Sequence, residues 1–168
     1  MNTYTNIEQK VEDQLVKARK QNVQRLSDIE HRLEFVAEVN GVEYVNDAKA
    51  ADMNSTWYSI DCMEKPIIWI VSSSNYDEDY ELMGEIDQSG IKAVVILGAN
   101  PEKVKERLSQ VQQLEVAQDV HEAVRIGMRI AQEGEVVLYS PACTDLKVYT
   151  PYKENGQRFR KAVREVQL

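Results

Sequence analysis

The stretch His31 to Thr56, HRLEFVAEVNGVEYVNDAKAADMNST, decides the architecture of the chain. Leu33 to Val39 and Val42 to Asn46 have the composition and spacing of two short strands. Asn40-Gly41 between them is a hairpin signal, because both residue types accept the positive φ of a two-residue turn. A polar loop with Asp47 and Lys49 follows. Asn54 or Ser55 is the expected N-cap of a helix running to about Met63.

Downstream, strand and helix signals alternate. Pro66 leads into an apolar strand, Ile67 to Val71, followed by a polar loop, Ser72 to Asp79, and a short helix from about Tyr80 to Asp87. A strand at Ile91 to Leu97 precedes a helix that Pro101 opens and that reaches about Val111. A short strand, Leu114 to Ala117, comes before a helix capped by Asp119, Val120 to Gln132. Gly134 ends it, Glu135 to Tyr139 is another apolar strand, and Ser140 to Thr150 is a loop. Pro151 begins the last helix, to about Val166. Apolar strands alternating with helices predict a three-layer, Rossmann-like α/β fold, its sheet mostly parallel with an antiparallel edge hairpin. Upstream, Ile7, Val11, Leu15 and Ala18 recur at helical spacing and predict an amphipathic helix to about Leu26. The expected organisation is therefore an N-terminal helix over 1–30 and one α/β domain over 31–168.

Composition narrows the function classes. Of 168 residues, 43% are hydrophobic and 29% charged, the mix of a globular domain rather than a disordered chain. A net charge of -8 repels phosphate backbones and argues against nucleic acid as a partner. The longest apolar runs, Ile67 to Val71 and Ala93 to Leu97, are too short to span a bilayer. The first residues lack the basic and apolar segments of a signal peptide, so the cytoplasm is the expected compartment. Cys62 and Cys143 are then reduced thiols, and His31 and His121 have no metal-ligand spacing. Trp57 and Trp69 fit a helix face and a core strand.

In open α/β sheets, ligands sit beyond the carboxyl ends of the strands. Three loops leave those ends: Asn46 to Asn54, Ser72 to Asp79, and Ser140 to Thr150. The chain has neither a Gly-x-x-x-x-Gly-Lys phosphate loop nor a Gly-x-Gly-x-x-Gly turn. It therefore lacks the usual means of gripping a triphosphate by itself. The first loop still offers Arg32 and Lys49 to neutralise phosphate, with Asp47 to accept from a ribose or orient the lysine.

These loops carry a resemblance. His31-Arg32, Asn-Asp-Ala-Lys-Ala at Asn46 to Ala50, and Ser-Pro-Ala-Cys at Ser140 to Cys143 resemble the C-terminal domain of the Mur ligase family, closest to its D-glutamate-adding ligases. Tyr149, Tyr152, Gly156, Arg158 and Phe159 also fall where that family has aromatic, Gly and Arg/Phe positions. The resemblance covers His31 to the C-terminus. It implies the Mur C-terminal fold, supporting nucleotide contacts from Arg32, Asp47 and Lys49, and substrate contacts from Ser140, Asp145, Leu146 and Tyr152.

The departures are as informative. Where the family reads Asn-Asp-Ser-Lys-Ala-Thr-Asn, this chain has Ala48, Ala51 and Asp52, losing two hydroxyls and turning an amide into an acid. The family's Gly-Gly loop with its carboxylate-binding lysine is replaced by VSSSNYDED, with Asp77, Glu78 and Asp79 nearby. The family's substrate-binding serine is Asp145 here, which when ionised cannot donate a hydrogen bond to a carboxylate.

The resemblance thus implies a degenerate, stand-alone relative: a non-catalytic binding or interaction protein, with no catalytic residue and no resident metal or cofactor of its own. The apolar stripe at Ile7, Val11 and Leu15 needs burial, within the domain, by self-association into a dimer, or on another protein. Two alternatives stay open. One is a small-ligand binder for a nucleotide or amino acid. The other is an ATP-dependent, magnesium-using amide ligase component completed by a separate chain.

Overall fold

The computed structural model describes residues 30–73, 77–98, 100–142 and 152–167, without the side chains of Asp77 and Glu78. Its strands are β1 (Glu34–Val39), β2 (Val42–Asn46), β3 (Ile67–Ser72), β4 (Ile91–Leu97), β5 (Gln113–Ala117) and β6 (Val136–Tyr139). Its helices are α1 (Met53–Asp61), α2 (Asp77–Glu85), α3 (Pro101–Arg107), α4 (Val120–Ile130) and α5 (Tyr152–Val166). They make a six-stranded sheet in the order β1-β2-β6-β3-β4-β5. Only β1 runs antiparallel to its neighbour.

Two apolar layers hold the sheet between helices. On one face Val45, Trp69, Val94 and Leu138 pack with Met53 of α1, Tyr80 of α2 and Val104 of α3. On the other, Tyr44, Ile68, Ile70 and Val137 pack with Val124 of α4 and with Phe159 and Val163 of α5. Neighbouring residues of a strand point to opposite layers, so a central strand such as Ile67–Ser72 must be apolar on both. The β1–β2 turn holds Asn40 at φ 53° and Gly41 at φ 75°, the left-handed pair that such a hairpin requires.

Several boundaries differ from the sequence reading. The N-cap of α1 is Asp52 rather than Asn54 or Ser55: its Oδ1 accepts from the Ser55 amide at 2.8 Å and its Oδ2 from the Ser55 hydroxyl at 2.8 Å. The acid that replaces the family's amide thus caps a helix. The helix of the second loop starts at Asp77, not Tyr80, so Asp77, Glu78 and Asp79 form its first turn, where the helix dipole favours negative charge. α3 stops at Arg107, because Leu108 leaves the helical region at φ -100° and ψ 41°. Asp119 caps α4 as expected, its side chain accepting from the Glu122 amide at 2.8 Å.

The expected N-terminal helix and its part in self-association lie outside the described residues, apart from Glu30. Among the described residues, no helix is long and apolar enough to cross a membrane.

The topology selects one crevice. β3 continues to α2 on one face, while its neighbour β6 precedes α5 on the other. Strand order reverses there, and β2 ends beside β6. Loops diverging to opposite faces leave room at the strand ends.

Candidate functional site

Asp47 directly follows β2. Its amide donates to the Tyr139 carbonyl at 2.8 Å, extending the β2–β6 ladder by one step and turning the side chain beneath the His31–Leu33 segment. The carboxylate is fully buried. Its Oδ1 accepts from the Leu33 amide at 3.1 Å and its Oδ2 from the Ser140 hydroxyl at 2.8 Å. Since Ser140 gives its proton to Asp47, the Thr56 hydroxyl donates to Ser140 Oγ, 2.8 Å away. Trp69 Nε1 donates to the Ser140 carbonyl at 2.8 Å, so Ser140 is pinned from three sides. Burial pushes the Asp47 carboxyl above the ordinary carboxylate range. Hydrogen bonds from Ser59 and Ser140, the charge of Arg32 and the Leu33 amide pull it back without cancelling the rise.

Arg32 lies over this carboxylate, its Nε 3.9 Å from Asp47 Oδ1, with 17% of its side chain exposed. The Nε itself is buried and has no hydrogen-bond partner among the described residues. The turn that carries Arg32 is strained: His31 has φ 62° and Leu33 φ 44°, a region that non-glycine residues seldom occupy. Such strain persists where the surroundings over-determine it. Here the His31 carbonyl accepts from the Lys49 amide at 3.0 Å, and the His31 amide donates to Glu34 Oε2 at 3.2 Å. Asn46 Nδ2 lies 2.8 Å from His31 Nδ1, 3.2 Å from Glu34 Oε2 and 3.2 Å from the Gly156 carbonyl. Gly156 of α5 presses on the imidazole so closely that a Cβ there would sit 2.3 Å from His31 Nδ1.

At the mouth, Lys49 Nζ stands 5.7 Å from the Tyr152 ring centroid, and Tyr152 meets His31 edge-on at 6.4 Å. Lys49 and Tyr152 are both partly exposed. Of the site residues expected from sequence, Arg32, Asp47 and Ser140 form one cluster and Lys49 with Tyr152 a second beside it. Asp145 and Leu146 lie outside the described residues, as do Cys143 and Tyr149. The sequence reading paired Asp47 with ribose or with Lys49. In the structure Asp47 is sealed from solvent, and its ion-pair partner is Arg32.

Glu34, Asn46, Thr56 and Arg160 support the cluster without having been singled out, and so does His31, which was read only as part of the His31-Arg32 motif. Asn46 lies inside a quoted motif and was within reach of the reading. Arg160, 126 residues from the Glu34 it binds, carries no local signal. Among the described residues, no three His, Cys, Asp or Glu side chains are placed to hold a metal ion.

The family model described as Mur ligase, glutamate ligase domain, matches residues 31–143. The chain is 33% identical over 160 residues to the UDP-N-acetylmuramoylalanine–D-glutamate ligase of Porphyromonas gingivalis, covering 95% of this chain and 36% of that protein. The ligase of the same name from Cytophaga hutchinsonii is 36% identical over 137 residues, 81% of this chain and 30% of its own. This chain therefore spans about a third of the length of the curated relatives it matches. Among solved structures, the MurF ligase from Thermotoga maritima in complex with ADP has a TM-score of 0.57 at 15% identity, covering 82% of this chain and 32% of that one. A murein peptide ligase from Psychrobacter arcticus gives 0.57 at 12% identity, covering 80% and 30%. At such identities these two structures establish the shared fold.

Proposed function

The chain belongs to the Mur ligase family through its glutamate ligase domain, and from that premise we propose that it is a ligand-holding domain without chemistry of its own. It grips an anionic group, first of all a nucleotide phosphate, at Arg32 and Lys49. One observation carries this reading: Asp47 is a fully buried carboxylate kept under the partly exposed Arg32. A buried ion pair is a poor way to stabilise a core, since well-packed apolar residues serve as well or better. Its use is to hold a guanidinium in one place, and among the described residues the buried Arg32 Nε has no acceptor. The Lys49–Tyr152 pair adds a second cation and an aromatic surface at the mouth. The non-catalytic part of the reading rests on Ser140, whose hydroxyl is buried and committed to Asp47.

The test is thermal-shift titration with ADP, Mg-ATP and D-glutamate, because binding to the folded state raises the melting temperature. ADP is expected to raise it, and Arg32→Ala and Lys49→Ala each to weaken ADP binding by about tenfold, the loss of one charge-assisted contact. No shift at millimolar ADP would overturn the nucleotide reading. A shift with D-glutamate alone would replace the phosphate by a carboxylate as the bound group.

A second reading makes the chain a component of an ATP-dependent amide ligase. It is favoured by the two ligases that match 81% or more of this chain over only about a third of their own length. Phosphate release from ATP, dependent on both D-glutamate and an added Mur-type partner, would support it. ATP turnover indifferent to Arg32→Ala would remove it.

A further inference from the structure

The strained turn that presents Arg32 is held by a carboxylate whose two oxygens face different elements. Glu34 Oε2 accepts from the His31 amide and from Asn46 Nδ2, each at 3.2 Å. Glu34 Oε1 is taken by Arg160 of α5, whose Nε and Nη2 both stand 2.7 Å away. Arg160 Nη1 reaches Glu30 Oε1 at 3.4 Å. Glu34 and Arg160 are only 21% and 27% exposed, so this contact is shielded in a way that surface pairs are not. We infer that Arg160 is a positioning residue for ligand binding: it clamps Glu34 from α5, Glu34 holds the His31–Leu33 turn, and the turn sets Arg32 over Asp47.

The reason is geometric. His31 and Leu33 both sit at positive φ, a strain that surrounding contacts must offset. Glu34 Oε2 supplies one of those contacts and Asp47 Oδ1 another. A carboxylate on the edge strand β1 has rotamer freedom, and a two-donor guanidinium grip on its other oxygen removes it. A lysine would supply charge without the fork. The same turn takes up the Lys49 amide through the His31 carbonyl, so a slackened turn loosens both proposed cations together. This inference rests on the anion-binding reading above, and its test has one arm that does not.

That test compares the full chain with Arg160→Ala, Arg160→Lys, Glu34→Gln and the Arg160→Ala/Glu34→Gln pair. Amide hydrogen exchange is followed at Leu33 and Lys49, with Val94 and Leu138 as reporters of the central sheet, and ADP affinity is measured by calorimetry. Arg160→Ala is expected to speed exchange at Leu33 and Lys49, leave Val94 and Leu138 protected, and weaken ADP binding about tenfold, a coupling through one intermediary. Arg160→Lys should recover part of both effects. The pair should be no worse than the more damaging single variant, because both substitutions break one link. Unchanged exchange at Leu33 and Lys49 in Arg160→Ala overturns the clamp. So does faster exchange throughout the sheet, and so does a loosened turn with unaltered ADP affinity. If the unmodified chain binds no ADP, the nucleotide reading fails by itself, and the exchange data still decide whether Arg160 holds the turn.

Discussion

The two ends of the sheet handle charge in opposite ways. At the amino ends of the central strands, Lys65 pairs with Glu43 and Lys92 with Glu135, each at 2.7 Å, and all but Glu135 keep a third or so of their side chains in solvent. A surface groove opens at that end beside Met63, Lys65, Asp87 and Lys92, but its two lysines are already neutralised by those acids. At the carboxyl ends, Asp47 and Ser140 are fully buried, and His31, Leu33 and Ala142 adopt positive φ. Among the described residues, the buried His31 Nε2 and Arg32 Nε have no hydrogen-bond partner, although Glu30 Oε1 stands 3.5 Å from His31 Nε2. One end is built for solubility. The other accumulates strain, desolvated charge and unmet donors, which is where a fold departs from its stability optimum to hold a ligand. The crevice by Asp47 is therefore the better candidate.

The contrast can be tested by substitution at both ends. The largest effect on stability is expected from Gly156→Ala, whose methyl would enter the space of the buried His31 ring. A loss of about 3 kcal/mol in urea unfolding is the overpacking range for such a contact. A loss below about 1 kcal/mol would mean that the imidazole can withdraw, and that the carboxyl end is less constrained than its geometry implies. Ser140→Ala removes the hydroxyl that donates to Asp47 and accepts from Thr56. Leaving a buried carboxylate oxygen unmet should cost about 2 kcal/mol by the same measurement.

The third prediction concerns pH. Burial raises the Asp47 pKa in the folded state above its ordinary 3.8, so the folded chain holds this proton more tightly than the unfolded one. The stability it contributes is complete below the ordinary value and is lost as pH rises through the raised one. Asp47→Asn should therefore gain on the parent chain as pH climbs through that window and run parallel to it above. The gain is about 1.4 kcal/mol for each unit of elevation. Urea unfolding of both chains across a pH series checks this, and a difference independent of pH would remove the desolvation argument. The smallest effect belongs to the other end. Lys92→Gln is expected to cost about 1 kcal/mol or less, as partly exposed pairs do, and to leave ADP affinity as it was.

Much of the fold was legible because its signals are local. Asn40-Gly41 announced the hairpin, and the apolar runs at Ile67 and Ile91 announced strands covered on both faces. Asp119 and Pro101 marked helix starts correctly. The errors fell at helix ends such as the one before Asn54, where several capping residues compete and only the backbone path chooses Asp52. The site was legible in part. The quoted motifs contained Arg32, Asp47, Lys49 and Ser140, and the structure gathers them at neighbouring strand ends. Which of them meet solvent was not legible. Asp47 and Ser140 are polar residues in polar loops, and nothing in their neighbours announces complete burial.

By itself, then, the sequence determined the order of strands and helices, the hairpin and the residue types offered at the carboxyl ends, because turn chemistry and hydrophobic period act over a few residues. Only the tertiary structure decided that β6 inserts between β2 and β3, which sets Ser140 against Asp47. It alone decided that Arg160 reaches Glu34 and that Gly156 seals His31. Those contacts join residues about a hundred positions apart, and their partners are chosen by packing two helical layers on one sheet rather than by any neighbour in the chain.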